Sequence, residues 1–289
     1  MSGRSYARYA ATIGLSYCLS IFLLVLITGV IIFRTVLNPW YILSRMEKSG
    51  FAEQTVTELS EVFTTYGLGS GVSPDLMTSF ITAPLVNTVT EGIILETFGR
   101  GVGYSPDEYI EEVTSALRAY AIKQGFTITE DIETGLHELA VMCSDSLKDH
   151  INSPIFGLLA RLQHFTRYLI TGISIMAVLS LIIIILIPAV NRRVTRWIDG
   201  YIYALGATSL LCAIIYIIYY RLGLSTRLMI APVSYNRLIS SWFDGIVNGY
   251  MIALLPLLSG IIICITVRII RRIKRNKQKI FAQLDYRRI

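Results

Sequence analysis

Four sets of residues have types and spacings from which chemistry is commonly built, and each lacks a part. His137 and Glu138 open the HExxH pattern, in which two histidines one helical turn apart hold zinc and the glutamate acts as general base, but the fifth position is Val141. His137, His150 and His164 are spread over 27 residues and, with Cys143, have no metal-ligand spacing. Asp107, Glu108, Glu111 and Glu112 crowd one stretch without the DxDxDG order of a calcium loop. The nine-residue pattern GxGxGxSPD occurs twice, as 67–75 and 99–107, an offset of 32 residues. Glycine-rich turns before helix starts can cradle phosphate. Neither copy carries the GKS or GKT of a nucleotide loop, an apolar helical face precedes each, and the closing aspartate would repel an anion. No serine or cysteine has a readable nucleophile partner. The sequence therefore predicts no catalytic, cofactor-binding or metal-binding residue, and no enzyme.

The two glycine turns are read as structural or interaction elements. Gly67, Gly69 and Gly71, and likewise Gly99, Gly101 and Gly103, would end one helix, because glycine tolerates the left-handed conformation. Ser73 or Ser105 would cap the next helix, the following proline would fit its first turn, and Asp75 or Asp107 would favour its positive end. A duplicated helix–turn–helix unit follows; with two copies it must pack as a small bundle rather than a solenoid.

The elements around these turns read as helices. Phe51, Val56, Leu59, Val62, Phe63 and Tyr66 recur at helical spacing, as do Ile110, Val113, Leu117 and Tyr120, then Ile132, Leu136, Leu139, Met142, Cys143 and Leu147. Pro84 should kink or split the apolar stretch between Leu76 and Phe98. Strand-type alternation is scarce. Cys143 reads as a small buried hydrophobe, and Cys18, Cys212 and Cys264 fall in apolar runs, so no disulfide framework is expected.

Composition sets the solvent. Of the 289 residues 53% are hydrophobic and 16% charged, well short of the quarter or so charged in soluble domains, which excludes a disordered or wholly soluble chain. Four runs are long and apolar enough to span a bilayer and contain no Asp, Glu, Lys, Arg or His: 11–36 (apart from Arg34 at its end), 168–190, 200–220 and 246–267. The first is too long for a signal core and is expected to stay as an anchor. Arg4 and Arg8 precede it, Arg192, Arg193 and Arg196 lie in the turn 191–199, and seven basic residues from Arg268 to Lys279 follow the last run. The positive-inside rule puts all three clusters, and so both termini (1–10 and 268–289), in the cytoplasm of a plasma-membrane protein. Segment 37–167 is then extracytoplasmic; it holds 17 acidic residues against 8 Lys or Arg.

Without intramembrane charges the spans offer no proton relay or ion pathway. Gly245 and Gly249 form a GxxxG element for close helix packing. Segment 221–245, broken by Pro232, reads as an outer interfacial loop, and Trp40, Tyr41, Tyr168, Trp197, Tyr219, Tyr220, Trp242 and Phe243 as membrane-interface anchors. The basic tail reads as a ligand for anionic lipid headgroups and not for nucleic acid. The expected fold is all-α: four transmembrane helices with a helical extracytoplasmic domain inserted between the first two. The leading functional expectation is a non-enzymatic protein whose acidic domain binds a protein partner or regulates. The layout of one anchor, a large inserted domain, three further spans and a smaller outer loop resembles ABC-type permeases of the cell-division and macrolide-export kind. That resemblance implies a membrane subunit coupled to a cytoplasmic ATPase, with strands in the inserted domain, where this chain reads as helical.

Overall fold

The computed structural model describes residues 3–101, 103–152, 154–190, 194–224 and 232–286, and among them every regular element is a helix. In chain order these are α1 (Gly3–Thr35), α2 (Pro39–Ser49), α3 (Phe51–Ser70), α4 (Pro74–Ser79), α5 (Ala83–Thr97), α6 (Asp107–Lys123), α7 (Glu130–Ile151), α8 (Pro154–His164), α9 (Thr166–Val190), α10 (Val194–Leu222) and α11 (Val233–Tyr286). Among the described residues four stretches are long and apolar enough to cross a bilayer: Ala7–Thr35, Thr166–Val190, Arg196–Leu222 and Val233–Asn276. By that criterion this is a multi-pass, all-helical membrane protein. The chain divides into an apolar unit, residues 1–33, 167–225 and 244–289, and an acidic unit, residues 34–166 and 226–243.

In the apolar unit, α1 packs on α9 and α10 through Leu19, Ile183, Ile187 and Ala204, and on α10 and α11 through Ile31, Cys212, Tyr250 and Leu257. Small residues allow these approaches. A Cβ at Gly29 would lie 2.7 Å from Ile173, and one at Gly249 would lie 3.1 Å from Ile31. The polar groups inside are satisfied by nearby backbone or by each other: the Thr208 hydroxyl donates to the Ser20 carbonyl at 3.1 Å, and Tyr250 donates to Thr28 at 3.1 Å. Outward faces stay apolar, with Ile185, Ile252 and Leu255 exposed, as expected of helices solvated by lipid tails.

The acidic unit has its own core. The expected stripes supply much of it: Phe51, Leu59 and Phe63 from α3, Val113 and Leu117 from α6, Leu139, Cys143 and Leu147 from α7. Pro84 stands in the first turn of α5, where its missing N–H costs nothing; the apolar stretch 76–98 is split ahead of it, between Ser79 and Ala83. Thr82 caps that start by accepting from the Leu85 N–H at 3.4 Å. Two helices were not anticipated. One is α2, announced by Pro39 at its start and Gly50 at its end with φ +66°. The other is α8, whose Phe156 and Leu159 join the core.

Three boundaries differ from the sequence expectation. The helix α1 begins at Gly3, so most of the expected N-terminal segment 1–10 is helical. The turn 191–199 is helical from Val194 onward, and residues 191–193 lie outside the described part. The largest difference concerns 221–245, expected as an interfacial loop. Residues 225–231 lie outside the described part, but from Val233 the chain is already α11, which continues without a break through 268 to Tyr286. Pro232 precedes that helix instead of interrupting one, and the tail RIIRRIKRNKQK contains no glycine or proline to stop it. Tyr235, Leu238 and Ile239 are buried in the acidic unit's core, and Trp242 packs against it. The Trp242 indole donates to the Thr35 carbonyl at 3.3 Å. Of the residues expected at the interface, Leu238, Ile239 and Trp242 belong to a packed helix face, while Val233 and Phe243 stay exposed.

Candidate functional site

The glycine repeat is a repeat in sequence and not in structure. In the first copy, α3 runs on through Gly67 and Gly69, and the left-handed residue is the third glycine, Gly71, at φ +73°. In the second copy, α5 stops before the first glycine, and Gly99 is left-handed at φ +63°. Gly67 is buried where the turn and α4 fold back: a Cβ there would meet Met77 Cγ at 2.9 Å and the Val72 carbonyl oxygen at 3.0 Å. Gly69 is exposed with open space around it. Gly101 faces Leu95, and Gly103 lies against the Glu96 carboxylate, so the second turn folds back along α5.

The serines do not cap as expected. Ser73 occupies the N-cap of α4 but makes no side-chain bond to it; its carbonyl accepts from Leu76 and Met77. Pro106 holds the N-cap of α6, one residue after Ser105, whose hydroxyl donates to Asp107 at 3.1 Å. Asp75 and Asp107 do sit in the first turns of α4 and α6. The two aspartates are exposed. The repeat shapes turns. Gly67→Ala is expected to cost about 2 kcal/mol from overpacking against backbone, whereas Gly69→Ala should leave stability unchanged or raise it by up to ~1 kcal/mol. Thermal unfolding of the two full-length variants in detergent checks the contrast. Gly245 is buried, and a Cβ at Gly249 would lie 3.1 Å from Ile31 of α1.

The group that the sequence did not reveal is Glu58, His150 and Ser234. Helix α3 supplies Glu58, α7 supplies His150 one residue before its end, and the first turn of α11 supplies Ser234. The Glu58 carboxylate accepts from the Ser234 backbone N–H at 2.9 Å, from the Ser234 hydroxyl at 2.7 Å, and pairs with His150 Nε2 at 2.9 Å. The side chains of Glu58 and His150 are 17% and 19% exposed. Burial alone would raise the Glu58 pKa, but the hydrogen bonds from Ser234, then the hydrogen bond and charge of His150, outweigh it and hold the carboxyl below its ordinary value of 4.5. Next to it the Tyr235 hydroxyl donates to the Ile151 carbonyl at 2.5 Å, and the Tyr235 ring meets Phe51 edge-on with centroids 5.3 Å apart. Residue types invite comparison with a hydrolytic triad, but the order is wrong. In a triad the histidine stands between acid and serine; here the acid stands between histidine and serine, and Ser234 is fully buried. The group works as a clasp: an anion at the N-terminus of α11 accepts from the Ser234 N–H, one of the orphan donors of that helix, and ties it to α3 and α7.

His137 and His164 are exposed, and no group of three or more His, Cys, Asp or Glu is gathered for a metal among the described residues. Cys143 is fully buried, and burial pushes its thiol up to about 12. Burial, then Glu108 and Glu112, push Tyr104 up to about 12. Burial, then the neighbouring Cys143, Tyr104 and Glu112, raise Tyr109 as well. These groups stay neutral and hidden, which fits packing and not nucleophilic chemistry.

The clasp and the helices define a class: an all-helical multi-pass membrane protein with a separately cored acidic unit. Comparison with known protein families, curated proteins and solved structures finds no match for this chain.

Proposed function

We propose that this is a non-enzymatic plasma-membrane protein whose acidic unit stands outside the cytoplasm and binds a basic partner protein of the membrane or envelope. The observation that carries this reading is the segregation of charge. Residue ranges 34–166 and 226–243 hold 17 acidic and 10 basic residues around a core of their own, while the chain as a whole is basic by 6. Many of these carboxylates are exposed, including Asp107, Glu108, Glu111 and Glu112 along the start of α6, and such a field steers oppositely charged surfaces. Both termini lie in the cytoplasm on this reading, set by the arginine clusters that flank the spans. The basic end of α11 engages anionic headgroups there, apart from Arg268, which pairs with Asp199 at 3.1 Å, and Arg271, which lies over the Trp197 ring.

The test has two arms. A cysteine introduced at Asp107 should react with a membrane-impermeant maleimide in intact cells; reaction only after inner-membrane permeabilisation places the unit inside and removes the reading. Chemical crosslinking followed by purification of the full chain should recover a membrane or envelope protein, and recovery should fall at least fivefold when Asp107, Glu108, Glu111 and Glu112 are changed to Asn or Gln, about 1 kcal/mol of lost charge complementarity. A cytoplasmic nucleotide-binding ATPase recovered in stoichiometric amount would instead support the permease-like reading.

A further inference from the structure

We infer that a groove between α2 and α5 is a receptor site for one basic side chain, arginine or lysine, of a partner protein. The inference deepens the proposed function and rests on its reading of the acidic unit as a partner-binding module. The groove has a volume of about 400 Å³, and α2 lines it with Trp40, Ser44 and Glu47 while α5 lines it with Asn87, Thr90 and Glu91. Three features point to a cation. Trp40 is 56% exposed at this groove, an aromatic face of the kind that attracts guanidinium and ammonium groups. Glu47 and Glu91 are exposed carboxylates from two different helices, and neither has a cationic partner among the described residues. Arg45, on the same helix α2, is already engaged with Tyr41 through its Nε and its guanidinium plane.

The independent sign is Thr90. It is 2% exposed, lines the groove, and its hydroxyl has no hydrogen-bond partner. Thr57, Thr65, Thr88 and Thr134 return the hydroxyl to the carbonyl one turn back, whereas Thr90 does not; Thr55 and Thr114 are also unpaired, but of these three only Thr90 lines the groove. A buried polar atom left unpaired is costly, and a donor-rich guest such as guanidinium or ammonium supplies what it lacks. An acceptor hydroxyl, two carboxylates and an aromatic face form a complement to a cation with an alkyl stem, and the net negative charge of the unit favours a basic protein surface as its source.

The test uses the full chain in detergent micelles with its three tryptophans labelled with 15N at the indole nitrogen, Trp40 being assigned by the loss of its signal in Trp40→Phe. Titration with Nα-acetyl-arginine methylamide, and with the lysine analogue, should move the Trp40 signal saturably with a midpoint on the order of millimolar, as for a single exposed ion pair and cation–π contact. Glu47→Gln and Glu91→Gln should each weaken the midpoint about threefold, and the double variant should abolish saturation. Thr90→Val should weaken binding while leaving the thermal midpoint of the free protein unchanged or higher, since the hydroxyl it removes is unpaired. A Trp40 signal that stays still, that moves equally with the uncharged norleucine analogue, or that responds fully in the double variant overturns the site. A response to phosphoethanolamine without one to the arginine analogue overturns a protein side chain as the occupant. No partner protein enters this titration. A failed crosslink therefore counts against the proposed function alone, and a failed titration counts against the groove alone.

Discussion

Glu58→Ala is expected to cost the acidic unit about 3 kcal/mol and to raise the labelling rate of Cys143 about a hundredfold, because hydrogen bonds to a charged acceptor are each worth about 1.5–3 kcal/mol and the carboxylate accepts three here. Removing it leaves the Ser234 N–H at the head of a long helix without its anion and leaves His150 without its partner. Water that reaches a side chain 17% exposed offsets part of the loss, which keeps the figure below the sum of the bonds. Cys143 is a suitable reporter because it is fully buried in the core that the clasp closes, so in a variant lacking the other three cysteines its reaction with maleimide reads the opening equilibrium. Glu58→Gln keeps one acceptor oxygen and should fall between wild type and alanine. Labelling of Glu58→Ala at the wild-type rate would show that the clasp carries no stability. The pH dependence has a definite sign. The folded carboxyl binds its proton less readily than the unfolded one, so its stabilisation is fully present above the ordinary value of 4.5 and drains away as pH falls through the lower folded value. Opening, measured by pulse proteolysis against an unfolded reference in the same buffer, should therefore increase below about pH 4.5 in the wild type and increase less in Glu58→Ala.

Phe63→Ala is expected to cost about 3–5 kcal/mol, because the ring is fully buried and its loss leaves a cavity as well as forfeiting transfer energy. The ring lies 6.2 Å from Tyr66, whose hydroxyl bonds Ser146 of α7 at 2.8 Å, so the cavity opens beside the seam that joins α3 to α7. Val62→Ala, one residue earlier and 37% exposed, should stay within about 0.5 kcal/mol. Chemical denaturation of the two full-length variants in detergent, followed by the Cys143 labelling midpoint, separates them. Equal midpoints would mean that the assigned core face of α3 is wrong.

That pair shows how far the sequence reached. Helical spacing named Val62 and Phe63 together, and Met142 and Cys143 together, because an apolar stripe about 100° wide admits adjacent residues. Only packing distinguishes the buried from the exposed member: Cys143 is fully buried and Met142 is 48% exposed. The same limit explains the glycine turns. Identical letters suggested identical turns, yet the helix stops at a different glycine in each copy, because Met77 folds onto Gly67 in one copy while the other returns along Leu95 and Glu96. Local sequence states which residues are able to adopt a left-handed conformation; which of them does so is settled by what packs next to it.

Glu58, His150 and Ser234 were not legible as a group, since the serine and the histidine lie 176 and 92 residues from the glutamate along the chain. Trp40 and Glu91 were likewise separated, and Trp40 alone read as a membrane anchor. The sequence by itself determined which stretches are long and apolar enough to span a bilayer and the helical character of the chain, because a span's length and an apolar period are sums over neighbouring residues and survive without coordinates. The tertiary structure decided that Val233 begins α11, that its first turns join the acidic unit's core, and that an anion from α3 receives its N-terminus. Those outcomes depend on hydrogen bonds and contacts whose partners are chosen by proximity in space, and no local pattern encodes that proximity.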